Sequence, residues 1–148
     1  MTSFPVSGGC ICGSVRFTVN GPAICVVHCH CSMCRRSYAS LVGTGATIEQ
    51  KQVKLDQGKE NLATYESPPG VRRQFCRTCG CSLFYFDDSL PEILYYFPAT
   101  LDGGVHPGHP DGAEHHVFIE SKADWETFED NLPRHSEGVG MAALSIKQ

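Results

Sequence analysis

Val27-His-Cys-His-Cys-Ser-Met-Cys-Arg-Arg36 is the densest stretch of chemistry in this chain, and the fold has to be arranged around it. Cys29, Cys31 and Cys34 fall within six residues, with His28 and His30 interleaved and Arg35 and Arg36 directly after. Thiolates packed this closely repel one another unless a cation sits among them. Zn²⁺ is the natural one, because it takes four tetrahedral ligands and favours sulfur and nitrogen. Three thiols supply three of those positions. The chemical question is what occupies the fourth.

Outward from that stretch, two more cysteine clusters stand out: Cys10 with Cys12, and Cys76 with Cys79 and Cys81; Cys25 is alone. Nine cysteines is an odd number, so they cannot all pair as disulfides. With 148 residues and 41% hydrophobic residues, the chain can build an ordinary single-domain core without staples. The N-terminus, Met-Thr-Ser-Phe-Pro-Val, lacks the basic region and apolar run of a secretory signal. A reducing, cytoplasmic setting with metal thiolates is therefore expected rather than a disulfide framework. The net charge is −4, and no run of Lys or Arg exceeds two residues, so nucleic-acid binding is not expected as the main task. No apolar run approaches the roughly 18 residues that mark a membrane span.

The rest of the chain reads as short strands between turns. Val15, Phe17 and Val19 alternate with Arg16 and Thr18, the period of a half-buried strand. Further strands are expected over 25–29, 41–48, 53–55, 62–66, 71–75, 83–86, 93–97 and 116–120. A short helix is expected over 32–39 with Ser32 as its cap, and another over 123–131 with Trp125 and Phe128 on one inward face. Residues 101–114, rich in Gly and Pro, read as a long loop that is a candidate lid. Residues 1–135 then form one mainly β domain with short helices, followed by a loose tail over 136–148.

The simplest closed site joins Cys10 and Cys12 to Cys76 and Cys79, each pair at a glycine-bearing turn beside a strand. That leaves Cys29, Cys31 and Cys34 with one position open, the mark of a catalytic zinc. Cys81 or a histidine (His28, His30, His106 or His109) is an alternative fourth ligand, and three free thiols are another outcome. Cys25 reads as a small buried hydrophobe. Arg35 or Arg36 is a candidate to hold a substrate carboxylate, although either is as readily a solvated surface charge. His115 and His116 read as structural strand histidines.

Three motifs in order carry a resemblance: Gly9-Cys-x-Cys-Gly13 with Val15-Arg-Phe17, Cys29-His-Cys-Ser-x-Cys-Arg-Arg36, and Phe75-Cys-x-x-Cys-Gly80 with Leu83. With His116-Val-x-Ile-x-Ser-Lys-Ala-x-Trp125 and Asp130-x-Leu-Pro133, they resemble the glutathione-dependent formaldehyde-activating enzyme family. The resemblance covers about residues 8–133. It implies an all-β Mss4-like fold of folded sheets clamped by zinc. It implies a structural zinc on Cys10, Cys12, Cys76 and Cys79 and a second zinc on Cys29, Cys31 and Cys34. It also implies the joining of glutathione and formaldehyde into S-(hydroxymethyl)glutathione, a carbon–sulfur lyase reaction when run in reverse. Cys81 departs from the family pattern. The expected function is thus a zinc-dependent enzyme acting on a thiol–aldehyde adduct. The competing expectation is a non-catalytic binding module with an empty or structural second site.

Overall fold

The computed structural model describes residues 1–139. Period-two patterning is obeyed most strictly in β2 (Arg16–Val19) and the residue before it. Val15, Phe17 and Val19 are fully buried, while Arg16 pairs with Asp102 and the Thr18 hydroxyl donates to Asp56 at 2.6 Å. β2 is the middle of a three-stranded antiparallel sheet, flanked by β1 (Val6–Gly9) and β5 (Val53–Gln57).

The second sheet has seven strands in the order β10-β3-β4-β9-β8-β7-β6. Its members are β3 (Cys25–Cys29), β4 (Gly43–Glu49), β6 (Leu62–Glu66), β7 (Val71–Cys76), β8 (Ser82–Asp87), β9 (Ile93–Tyr96) and β10 (Glu114–Val117). All neighbours run antiparallel except β10, which lies parallel to β3. The core forms where the two sheets face each other. Phe17 meets Phe84 edge to face at 5.1 Å and Tyr96 at 6.4 Å, with Ile48, Leu83 and Leu94 around them. Truncating a ring as buried as Phe17 costs roughly 3–5 kcal/mol, the transfer loss plus the cavity.

The fold is the all-β architecture expected, with one α-helix among the described residues, α1 (Ser32–Tyr38), and short 3₁₀ turns. Four local expectations need correction. The cap of α1 is Cys31, not Ser32: the Cys31 Sγ accepts the Cys34 N–H at 3.3 Å. The strand expected over 116–120 lies at Glu114–Val117. Its partner β3 ends at Cys29, so pairing stops after His30 N–H reaches the Val117 carbonyl, and Phe118 turns away with φ 55°. No helix forms over 123–131. The carboxylates of Glu126 and Asp130 instead bond buried histidines, and Trp125 is 77% exposed rather than core.

The fourth correction concerns the loop over 101–114, which is not a lid over the central thiols. It packs against the N-terminal segment: Leu101 is buried, Thr2 donates to the His106 carbonyl, and Ala23 N–H donates to that of Pro107. Residues 133–137 run along β10, with His116 N–H on the Pro133 carbonyl and Phe118 N–H on that of Glu137. The remainder of the expected tail, from 140 onward, lies outside the described residues. Among the described residues, no helix is long and apolar enough to cross a membrane.

Candidate functional site

Two chain reversals of the same design face each other across the edge of the core. In one, Gly13 N–H bonds the Cys10 carbonyl at 3.1 Å; in the other, Gly80 N–H bonds the Cys76 carbonyl at 2.8 Å. Gly13 and Gly80 have φ of +76° and +77°, a left-handed backbone that suits glycine. The turns bring the sulfurs of Cys10, Cys12, Cys76 and Cys79 within 4.8 Å of one another. Cys10 and Cys12 are 3.6 Å apart and Cys12 and Cys76 are 3.8 Å apart. A tetrahedral zinc with Zn–S near 2.3 Å sets its sulfurs about 3.8 Å apart, so this donor set fits that ion. The Ser14 hydroxyl lies 3.0 Å from Cys12 and 3.3 Å from Cys76. That contact comes first among those pulling the Cys76 thiol down to about 6.

The second cluster is built from one continuous stretch. Cys29 ends β3, Cys31 caps α1, and Cys34 lies in the first turn of that helix. Their three sulfurs also fall within 4.8 Å of one another, and all three residues are half-buried. The set matches three of zinc's four positions in chemistry and spacing. Hydrogen bonding from Cys29, reinforced by Cys31 and by the Arg73 guanidinium, pulls Cys34 down to about 6. Cys29 moves the opposite way, raised first by its bond to Cys34 and then by burial. One of the three thiols is thus poised as thiolate near neutral pH even before a metal arrives.

Cys81 is not the missing ligand. It sits on the core side of the first cluster, beside Cys79, Cys10 and Cys76. Nor do the histidines supply it: the cation-ready groups among the described residues are the two cysteine sets alone. Side chains alternate across a strand, so Val27 and Cys29 face one way and His28 the other. His28 lies 2.9 Å from Thr44 and 2.7 Å from Glu114. Beyond it a chain of contacts runs Glu126–His30–His116–Asp130, at 3.0, 2.8 and 3.0 Å. Phe128 packs on both rings at 5.2 and 4.7 Å. This network ties the 126–130 segment to the loop that carries the thiols. His106 and His109 stack on each other at 4.4 Å, with His109 Nε2 3.5 Å from Glu114.

Arg73 is the site residue that sequence reasoning missed. It is 8% exposed on β7, distant in sequence from the cluster. Nη1 donates to the Tyr38 hydroxyl at 2.8 Å, and the guanidinium lies over the rings of Tyr85 and Tyr38 at 5.1 and 5.7 Å. None of the ion pairs among the described residues includes it. A buried guanidinium needs a counter-charge, and the anion at hand is the Cys34 sulfur. The one signal in sequence was an arginine at an inward position of an alternating strand, Val71-Arg-Arg-Gln-Phe75. Arg35 is half-buried with Nε 3.4 Å from the His30 carbonyl, and Arg36 is exposed on α1.

Cys29 and Cys34 form part of the wall of a cleft of ≈ 160 Å³. Tyr38, Tyr85, Tyr95 and Phe97 form its aromatic sides, and Gly43 and Gly45 of β4 lie in its lining. The arrangement places a cluster of three sulfurs that could hold a metal on the wall of a largely apolar cleft, with the buried Arg73 guanidinium nearby.

Comparison with known proteins agrees with this geometry. The family model described as glutathione-dependent formaldehyde-activating enzyme matches residues 5–121. A curated protein of Halomonas elongata, provisionally named for that same activity, is 31% identical over 137 residues, spanning 84% of this chain and 81% of its own. A solved structure of a Rhodobacter sphaeroides protein aligns with a TM-score of 0.56 at 35% identity, covering 68% of this chain and 91% of its own. The chain belongs to the glutathione-dependent formaldehyde-activating enzyme family.

Proposed function

We propose that this family member is a zinc-dependent enzyme of the carbon–sulfur lyase type, joining a glutathione-like thiol to a small aldehyde and cleaving the adduct in reverse. The observation that carries the reading is the convergence of Cys29, Cys31 and Cys34, three sulfurs rather than four, at the wall of a cleft. Cys29, Cys31 and Cys34 would hold a zinc that would supply a Lewis acid, and their soft sulfurs suit an incoming thiol. The other zinc, on Cys10, Cys12, Cys76 and Cys79, is structural.

The reaction needs little of the protein beyond placement and charge. The thiol sulfur forms a bond to the aldehyde carbon, the carbonyl π pair moves to oxygen, and the thiol proton ends on that oxygen. In reverse, the same bond breaks and free thiol and aldehyde leave. Cys31 fixes the start of α1 and so sets where Cys34 points. Arg73 balances charge: three thiolates on Zn²⁺ leave one net negative charge, which the guanidinium offsets from behind. The aromatic walls limit water at the reacting carbon. Arg35 and Arg36 on α1 are the candidates to hold the carboxylates of glutathione from outside the cleft. A reducing cytoplasmic setting suits nine unpaired cysteines.

NMR exchange spectroscopy between glutathione, formaldehyde and S-(hydroxymethyl)glutathione, with zinc-replete protein, tests the reading. Uncatalysed addition is fast, so the expected result is exchange above that background, lost in Cys31→Ser. Exchange equal to background would leave a zinc-stabilised binding module.

A further inference from the structure

The cleft beside Cys29 and Cys34 is larger and drier than formaldehyde or glutathione requires. Formaldehyde has two heavy atoms. A cavity of ≈ 160 Å³ would stay almost empty around it, whereas an apolar cavity of about 150 Å³ admits a benzene ring. Glutathione has the opposite mismatch: it carries two carboxylates and an ammonium. Among the described residues, the lining contains no Asp, Glu, Lys, Arg or His. Burying those charged ends without partners is unfavourable, so they belong outside, near α1. The interior of the cleft is left for the other reactant.

The room inside comes from one residue. Gly43 and Gly45 sit at alternate positions of β4, so both face the cleft. The space over Gly43 is already filled, since a Cβ there would meet the Tyr38 ring at 2.7 Å and the Cys34 Cβ at 3.2 Å. A Cβ at Gly45 would meet only Tyr95, at 3.9 and 4.0 Å. The missing side chain at Gly45 is therefore what keeps the pocket open, between aromatic walls that suit a flat apolar group.

We infer that the aldehyde this site takes carries an apolar substituent about the size of a phenyl ring, and that Gly45 sets this preference. The inference rests on the thiol–aldehyde reading above and narrows its substrate class.

The test compares benzaldehyde with formaldehyde, each with glutathione, in zinc-replete full-length protein, reading NMR exchange above the uncatalysed rate. Binding of benzyl alcohol, an unreactive probe, is followed separately by titration of the tyrosine ring signals. The expected result is greater acceleration for benzaldehyde, and saturable benzyl alcohol binding. In Gly45→Val the benzaldehyde-to-formaldehyde ratio falls about tenfold or more, and the probe no longer binds. Gly45→Ala, which adds one methyl in ordinary contact, gives a smaller fall in the same direction. If formaldehyde is accelerated and benzaldehyde is not, or if Gly45→Ala and Gly45→Val leave the ratio and the probe unchanged, the inference is wrong while the thiol–aldehyde reading stands. If neither aldehyde is accelerated, both fall together.

Discussion

The two cysteine sets use the same atom for opposite ends. Cys10 and Cys12 sit on one turn, and Cys76 and Cys79 on another some sixty positions later, so an ion among them closes a long loop of chain. Cys29, Cys31 and Cys34 come from one strand end and the helix that follows, so an ion among them closes almost nothing. The first set has four sulfurs, with Cys10 and Cys76 buried against the core. The second has three, on the wall of a cleft, backed by a cation with no carboxylate partner among the described residues. On the proposed reading, a metal in the first place stabilises the fold, and a metal in the second leaves a position open for chemistry. The difference lies in topology and ligand count, not in the kind of ligand.

The sharpest way to break that contrast is to remove one sulfur from each set. Structural zinc sites contribute about 10–16 kcal/mol of apparent folding free energy near neutral pH. Cys76→Ser should therefore abolish cooperative thermal unfolding of soluble protein. Cys31→Ser should keep a cooperative transition while total zinc falls from two ions towards one per chain. Equal loss of folding in the two variants would erase the distinction between the two sets.

Next in size is the buried cation. Replacing Arg73 by Leu removes the positive charge beside Cys34 but keeps an apolar filling. The expected loss of affinity at the second site is roughly 10–100-fold, measured by chelator competition, with the first site unchanged. Arg36→Ala, on the exposed face of α1, should leave both affinities unchanged. If Arg73→Leu does the same, the arginine is packing alone.

A smaller effect separates thiols within the second set. With the labile metal removed by mild chelation and the first site still loaded, Cys34 should be alkylated by iodoacetamide with a rate that rises through pH about 6, because its folded value is depressed from 9.0 to about 6. Cys29, shifted upward, should stay a thiol and unreactive over the same range. Peptide mapping by mass spectrometry distinguishes the two, and reaction of Cys29 first would contradict the assignment. The least effect belongs to Trp125→Ala. At 77% exposure it should change stability by no more than about 0.5 kcal/mol, against about 1–3 kcal/mol for Phe128→Ala, which loses its packing on His30 and His116.

Much of this was legible in the sequence because local rules and tertiary structure agree there. The alternation of Val15, Phe17 and Val19 is a property of one strand, and the Cys-Gly turns at Gly13 and Gly80 are set by their own φ angles. The grouping of seven cysteines into a four and a three followed from the arithmetic of tetrahedral ligation, and the sulfurs converge as that grouping requires. What escaped was settled by distant contacts. The 123–131 segment has a helical pattern, yet the hydrogen bonds of Glu126 and Asp130 to histidines far away in sequence hold it as an irregular strap. Arg73 comes to Cys34 only through the strand order of the large sheet. Cys81 looked like a spare ligand for the second set because spacing carries no direction, and its side chain lies by the first.

The central claim is that the second metal has a position open to a substrate thiol and the first does not. Loading the protein with ¹¹³Cd and adding glutathione tests it directly. Two resonances are predicted, one already in the four-sulfur range and unmoved by glutathione, the other moving into that range as the thiol binds. A second resonance that begins among four sulfurs, or that ignores glutathione at saturation, would contradict it.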